Sequence, residues 1–249
     1  MQRFLPQCLG AGACCVAALV AASAQAADPV VSQVVPQGGQ RGSEVAIQLR
    51  GDRVGLRPEG LLFYEAGIEL VGIEAKKPDV VEAKLRLTDA CPLGRHALRL
   101  RTATGLSNLV TFHVGALPET VEAEPNDRVD QAQPIAYGAV VNGVVEQEET
   151  DCFVVDLQAG QRLAVEVEGL RLGRTLFDPY VELLGPGGDR LAKCDDSPAT
   201  HQDPSFVVDV PADGLYTIRL RESALRGDQR CTYRMHLGDF ARPDAIYPP

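Results

Sequence analysis

The sequence predicts an all-β protein made of two β-sandwich domains that follow a signal peptide. Three observations predict it. Apolar and polar residues alternate in short segments along the chain, turn residues separate these segments, and no long segment after the N-terminus keeps a helical period. Alternation with a period of two is typical of strands that bury one face, and many short strands separated by turns are typical of sandwiches.

The N-terminus predicts export. Arg3 provides the positive charge, Leu9–Ala22 is almost wholly apolar, and Ala24–Ala26 reads A-x-A. This is the layout of a secretory signal peptide, residues 1–26, cleaved after Ala26. The apolar run is short for a membrane anchor, which needs about 20 residues, and no other segment is apolar enough to span a bilayer. We therefore expect a secreted, periplasmic or cell-surface protein.

Residues 28–114 predict an immunoglobulin-like sandwich. Alternation is clearest in Glu44–Arg50, Glu82–Leu87 and Arg95–Arg101, and turn signals such as Gly38-Gly39 and Gly51-Asp52 lie between such segments. About seven short strands in about 90 residues fit that architecture.

Residues 130–240 predict a jelly-roll-like sandwich of about eight strands. The alternating segments are Phe153–Leu157, Arg162–Glu168, Tyr216–Arg221 and Tyr233–Gly238. Residues 115–129 lack alternation and are acidic, which predicts a linker or a ligand arm between the domains. Residues 241–249 predict a linker or tail, and their composition fits a piece of a longer protein as well as a disordered terminus.

Charge and motifs limit the function. The chain has 24 Lys and Arg against 34 Asp and Glu, a net charge of −10, and it has no Trp. Such a chain repels nucleic acid and anionic lipid, so neither is expected as a partner. The motifs of serine hydrolases, zinc peptidases and P-loop enzymes are absent from the sequence, which predicts a protein that is not an enzyme.

Two acidic groups are candidates for a cation. Glu122–Asp127 places four oxygen-bearing side chains within six residues, and Glu149 and Asp151 stand at the start of a predicted strand. Calcium takes six to eight oxygen ligands, and it relieves the repulsion between clustered carboxylates. Asp178, Asp195 and Asp196 form the second group, and for them a cation site and ordinary turn chemistry both stay open.

Six short motifs in order carry a family resemblance: Glu122–Asp127 (EAEPND), Glu149–Phe153 (ETDCF), Ala159–Gln161 (AGQ), Phe177–Pro179 (FDP), Asp195-Asp196 (DD) and Pro211–Tyr216 (PADGLY). Together they resemble the bacterial pre-peptidase C-terminal domain over about half of the chain. The first half more weakly resembles immunoglobulin-like modules of the IPT/TIG type, through Pro36–Ser43, Leu49–Gly51 and Gly105–Asn108.

The resemblance implies a jelly-roll-like sandwich of secreted proteins, often beside peptidases and similar to the collagen-binding modules of clostridial collagenases. In those modules the acidic arm and the following strand hold calcium. Carried over motif by motif, this implies calcium as the cofactor and the ligands Glu122, Glu124, Asn126, Asp127, Glu149 and Asp151. Glu149 stands where the family usually has Asp, which keeps the carboxylate on a longer arm.

Four cysteines follow the signal peptide: Cys91, Cys152, Cys194 and Cys231. Export favours at least one disulfide, while the connectivity stays open. In the related modules the strand that carries the ligands begins near the C-terminal strand, so the resemblance favours Cys152–Cys231, with Cys152–Cys194 as the alternative.

We therefore expect a non-catalytic, secreted binding or spacer module, stabilised by calcium at the interdomain arm. Its partner would be an extracellular protein or polysaccharide, and the sequence leaves the ligand and the oligomeric state open. The alternative is the N-terminal accessory part of a larger secreted hydrolase, such as a peptidase.

Overall fold

The computed structural model describes residues 27–240; the predicted signal peptide, 1–26, and the predicted tail, 241–249, lie outside the described residues. Within 27–240 the chain is all-β, as the alternation predicts, and its helical content is two single-turn 3-10 helices, Val129–Gln131 and Leu170–Leu172. No helix in this range is long and apolar enough to cross a membrane.

The first half forms two facing sheets around one core. Its strands are β1 Val30–Val35, β2 Gly38–Gln40, β3 Glu44–Asp52, β4 Pro58–Phe63, β5 Ile68–Lys77, β6 Val80–Leu87, β7 Gly94–Thr102, β8 Gly105–Leu106 and β9 Val110–Gly115. One sheet has the order β1-β3-β6-β5 and the other β2-β9-β7-β4, with β8 beside β7. We call this half the first sandwich.

The second half repeats this plan with a separate core. Its strands are β10 Glu119–Val121, β11 Gln133–Pro134, β12 Ala139–Val144, β13 Asp151–Leu157, β14 Arg162–Glu168, β15 Pro179–Leu184, β16 Arg190–Cys194, β17 Ser205–Asp209, β18 Gly214–Glu222 and β19 Thr232–Gly238. The sheets have the orders β10-β12-β19-β14-β17 and β11-β13-β18-β15-β16. We call this half the second sandwich.

Alternation determines which residues fill the cores. In β6, Ala83, Leu85 and Leu87 are fully buried, while the residues between them face outward. In β18, Tyr216 and Ile218 meet the core of the second sandwich in the same way. Because neighbouring side chains of a strand point to opposite faces, the apolar set of each strand lies on one side of its sheet.

The predicted linker is shorter in the structure than in the sequence analysis. Glu119–Val121 forms β10, which pairs in parallel with β12, so part of the segment 115–129 belongs to a sheet of the second sandwich. The sequence signal was weak because β10 has three residues and shows no alternation to detect.

The predicted disulfides are wrong: among the described residues Cys91, Cys152, Cys194 and Cys231 are all free thiols. Cys231 lies in the core of the second sandwich, whereas the Cys152 side chain points away from that core, on the opposite face of β13 from Phe153. A disulfide needs Cβ atoms about 3.5–4.5 Å apart, and two thiols on opposite faces of a sheet do not meet this requirement.

Direct contacts join the two sandwiches. The Gln37 backbone N–H donates to Asn142 Oδ1 at 3.2 Å, and Gln33 Nε2 donates to the Gln229 carbonyl at 3.0 Å. Arg234, on β19, approaches the first sandwich at Gly38, where an added Cβ would lie 2.7 Å from Arg234 Nε. The absence of a side chain at Gly38 therefore permits the close approach.

Candidate metal centre

The acidic arm, residues 122–128, crosses one end of the second sandwich. It leaves β10 in one sheet and leads through the 3-10 helix to β11, which pairs with β13 in the other sheet. On its way the Asn126 carbonyl accepts a hydrogen bond from the Cys152 backbone N–H at 2.9 Å. This contact holds the arm against the beginning of β13, where Asp151 lies.

Carboxylates from the arm and from β13 meet at this crossing. One set joins Glu122, Glu124 and Asp151, and a second set joins Glu124, Asp127 and Glu149, each with one oxygen per residue within 4.8 Å of the others. Glu124 belongs to both sets, so the five carboxylates form one continuous cluster. The structure thus brings together the carboxylates from both motifs of the predicted ligand set.

Asp151 is the least solvated member of the cluster. It shares the parity of Phe153 and Val155 on β13, so its side chain points inward, and it is fully buried. Neither of its carboxylate oxygens makes a hydrogen bond of ordinary geometry among the described residues. Burial, and next the nearby Glu122, raise the pKa of Asp151 well above its ordinary value, although the nearby Tyr233 hydroxyl partly lowers it.

Asn126 is the second buried group without a partner. The residue is fully buried, and within the described chain neither its amide oxygen nor its amide nitrogen makes a hydrogen bond. A buried amide that lacks partners costs about 1–3 kcal/mol, and side chains in folded proteins rarely stay so. Its oxygen is therefore a candidate cation ligand, as the family motif implies.

Glu122 is partly satisfied by the protein itself. Its Oε1 accepts the Val144 backbone N–H at 2.7 Å and its Oε2 accepts the Tyr233 hydroxyl at 2.9 Å. Burial nevertheless raises the pKa of Glu122. The sequence analysis missed Tyr233, because its parity places it in the core and gives no sign that its hydroxyl reaches the arm.

The outer side of the cluster is more exposed. Glu124 and Asp127 are exposed, and Glu149 is half-buried with its Oε2 accepting the Glu146 backbone N–H. Burial raises the pKa of Glu149, and Glu124 and Asp127 add repulsion. The cluster therefore has a buried inner end at Asp151 and an open outer end.

This arrangement suits a hard divalent cation. It offers carboxylate oxygens and one amide oxygen, the ligand types that calcium prefers, from two chain segments. The two positive charges of such a cation would compensate the buried Asp151 carboxylate and relieve the repulsion between the carboxylates of the cluster. Among residues 27–240, Asp178, Asp195 and Asp196 do not form such a set, since none belongs to a group whose three oxygens approach within 4.8 Å.

Residues 149–222 match the family model of the bacterial pre-peptidase C-terminal domain. This part of the second sandwich is therefore similar to a pre-peptidase C-terminal domain. The match begins at Glu149 and includes Asp151, so the strand side of the cluster lies within the family domain and the arm precedes it. No curated protein matches the sequence. The immunoglobulin-like resemblance of the first half stays a prediction.

Several solved structures resemble the chain. A periplasmic inhibitor of g-type lysozyme, PliG from Aeromonas hydrophila, is 17% identical over 48% of this chain and 97% of its own, with a TM-score of 0.35. The pre-peptidase C-terminal domain of a Bacillus anthracis collagenase is 14% identical over 45% of this chain and 99% of its own, with a TM-score of 0.35. The secreted serine protease VesC from Vibrio cholerae is 11% identical over 81% of this chain and 47% of its own, with a TM-score of 0.28.

Proposed function

We propose that this protein is an exported, non-catalytic binding module whose acidic arm is held on the second sandwich by calcium. The observation that carries the calcium proposal is Asp151, a fully buried carboxylate that makes no hydrogen bond of ordinary geometry among the described residues. A buried charge persists in a protein only when it is paired, coordinates a metal, or takes up a proton. The ligands would be the six residues of the arm and β13 that the family motif implies.

Export and the absence of catalysis have separate support. The predicted signal peptide supports export. The match to the pre-peptidase C-terminal domain supports a non-catalytic role, because the resemblance implies a domain of secreted proteins that stands beside catalytic parts. The partner would be an extracellular protein or polysaccharide. The alternative, an accessory part of a larger secreted hydrolase, predicts the same cation site and differs in requiring hydrolase sequence after codon 249.

The test is a set of thermal melts in chelator, calcium, magnesium and sodium chloride at matched ionic strength. Calcium at a hundredfold excess over its dissociation constant stabilises the folded state by about 2.7 kcal/mol, which raises the melting temperature by on the order of 10 °C. Magnesium should substitute poorly because it requires strict octahedral geometry. A wild-type melt that responds equally to all three salts would contradict the proposal.

Variants separate coordination from general charge effects. Glu124→Ala with Asp151→Ala should abolish the calcium response. In chelator this variant should melt close to the wild type, because the raised pKa of Asp151 lets the buried carboxyl take up a proton when no cation is bound. The control, Asp156→Ala with Asp209→Ala, removes two exposed carboxylates of the same sandwich and should keep the full calcium response. Loss of the response in the control would indicate a charge effect without a site.

A further inference from the structure

A cleft between the two sandwiches differs in charge from the rest of this acidic chain. It has a volume of about 360 Å³ and is lined by β1, the beginning of β7, residues 108–111 before and in β9, and residues 171–174 of the second sandwich. Three arginines line it, Arg95, Arg171 and Arg174, and within residues 27–240 no carboxylate does. Cationic walls in a protein of net charge −10 indicate a local preference for anions.

Arg174 is incompletely satisfied. Its Nη1 donates to the Ser32 carbonyl of the first sandwich at 2.6 Å, whereas its Nη2 is buried and has no partner among the described residues. No described carboxylate pairs with it, and burial lowers the pKa of its guanidinium. The bond to the Ser32 carbonyl holds the guanidinium at the wall of the cleft, and because no described carboxylate neutralises it, Arg174 contributes an oriented positive charge there.

Arg171 is rigid and already neutralised. Its Nε donates to Asp203 at 2.5 Å and its Nη2 to Glu166 at 2.6 Å. The fully buried Asp203 also accepts the backbone N–H groups of Gly169 and Leu170. These bonds fix the segment that leads to Arg174. Because Asp203 and Glu166 outweigh Arg171 by one charge, Arg174 and Arg95 together leave the cleft with a single net positive charge.

Arg95 supplies the second free cation. It is exposed on β7, and the described part of the chain places no carboxylate in salt-bridge contact with it. Apolar side chains complete the lining: Val31, Val110 and Leu172 are buried, and Leu109 is 47% exposed. The cleft thus offers two arginines beside an exposed apolar side chain.

We propose that this cleft binds a peptide segment that presents one carboxylate beside an apolar side chain. The exposed guanidinium of Arg95 would bind the planar carboxylate with two parallel hydrogen bonds, the charge of Arg174 would add attraction, and Leu109 would cover the apolar group. A single carboxylate is favoured over a polyanion because the whole chain is acidic. A sugar is disfavoured because none of the lining residues is aromatic, and aromatic faces are the usual platforms for sugars.

The site shares no residue with the cation cluster, so it goes beyond the proposed function and can be tested with or without calcium. The experiment is a nuclear magnetic resonance titration of residues 27–249 at low ionic strength. The probes are acetyl-Ala-Leu with a free α-carboxylate, the same peptide as its amide, and acetyl-Leu-Glu-amide. We expect either carboxylate probe to cause saturable chemical-shift changes at Gly173 and at the Arg174 Nε–H. The amide probe should cause none. The two carboxylate probes distinguish a chain terminus from an acidic side chain.

Variants identify the arginines. Arg174→Gln keeps a donor for the Ser32 carbonyl but loses the cation. Arg95→Gln removes a cation that makes no described ion pair. Each variant should weaken the binding of the carboxylate probes about tenfold or more. Arg226→Gln, an exposed arginine outside the cleft, should bind like the wild type. Equal binding of the amide, unchanged binding by both cleft variants, or tighter binding of galacturonate or sulfate than of the peptides would overturn the proposal.

Discussion

Arg234 is predicted to be a costly charge to remove, because it is buried between two carboxylates. Its side chain is 3% exposed, its Nη2 lies 2.6 Å from Glu119 Oε1, and its Nη1 lies 2.8 Å from Glu168 Oε2. The two carboxylates are also shielded, with side chains 6% and 19% exposed. Arg234→Met would therefore leave two buried carboxylates without their shared cation.

The size of the effect follows from this burial. Removing one partner of a buried ion pair costs about 3–5 kcal/mol, because the other partner keeps its desolvation cost without its compensation. Glu119 would retain the Asn142 amide at 2.8 Å and Glu168 would retain His236 at 3.3 Å, so the two losses do not add fully. We expect a decrease in the free energy of unfolding of about 3–5 kcal/mol in total.

Equilibrium urea unfolding, followed by far-ultraviolet circular dichroism in excess calcium, measures this decrease. The variant Arg234→Met with Glu119→Gln and Glu168→Gln removes the uncompensated charges, so it should recover much of the loss. As a control, Arg86→Met breaks an exposed pair with Glu44 and should leave the urea midpoint almost unchanged. The reasoning is refuted if Arg234→Met costs less than about 1 kcal/mol, or if the triple variant is as unstable as the single one.

Two further predictions concern the junction and the arm. Burial, and next Arg234, lower the pKa of His113 from 6.5 to about 4. The contribution of the neutral imidazole is therefore complete above pH 6.5 and is lost as the pH falls toward 4. The free energy of unfolding from urea melts should fall by up to about 3 kcal/mol between pH 7 and about pH 4, and His113→Asn should flatten that fall. At Gly143 an added Cβ would overlap Glu122 Oε2 and the Tyr233 ring. Gly143→Ala should therefore lower the free energy of unfolding by about 1–3 kcal/mol and weaken calcium binding. Thermal melts in chelator and in calcium measure both effects, and unchanged melts would contradict the prediction.

The strands could be predicted from the sequence because the pleat of a strand imposes a period of two. Glu82–Leu87 and Tyr216–Arg221 each lie within a strand, β6 and β18, and bury the apolar set that alternation assigns to the core. The alternation also contained a signal for the site that the sequence analysis did not use. Asp151 stands two residues before Phe153 in the same strand, so its side chain points to the same buried face.

Long-range contacts could not be predicted in the same way. Alternation places Arg234 on the outer face of β19, and the residue is nevertheless buried because the first sandwich and two carboxylates cover that face. Parity states which face a side chain takes and not what lies against it. The disulfide prediction was wrong for a different reason: alternation already placed the Cys152 thiol and the Cys231 thiol on different faces, and the pairing followed the family resemblance instead.

The junction contacts also bear on what calcium would do. The sequence analysis placed calcium at the interdomain arm, yet the described structure joins the sandwiches by contacts outside the cation cluster, at Gln37 with Asn142 and at Arg174 with Ser32. The arm itself hydrogen-bonds to the second sandwich, through Glu122 and the Asn126 carbonyl. Because the cluster lies between the arm and β13, the stabilisation by calcium would fall on the second sandwich, and the angle between the sandwiches would depend mainly on the junction residues.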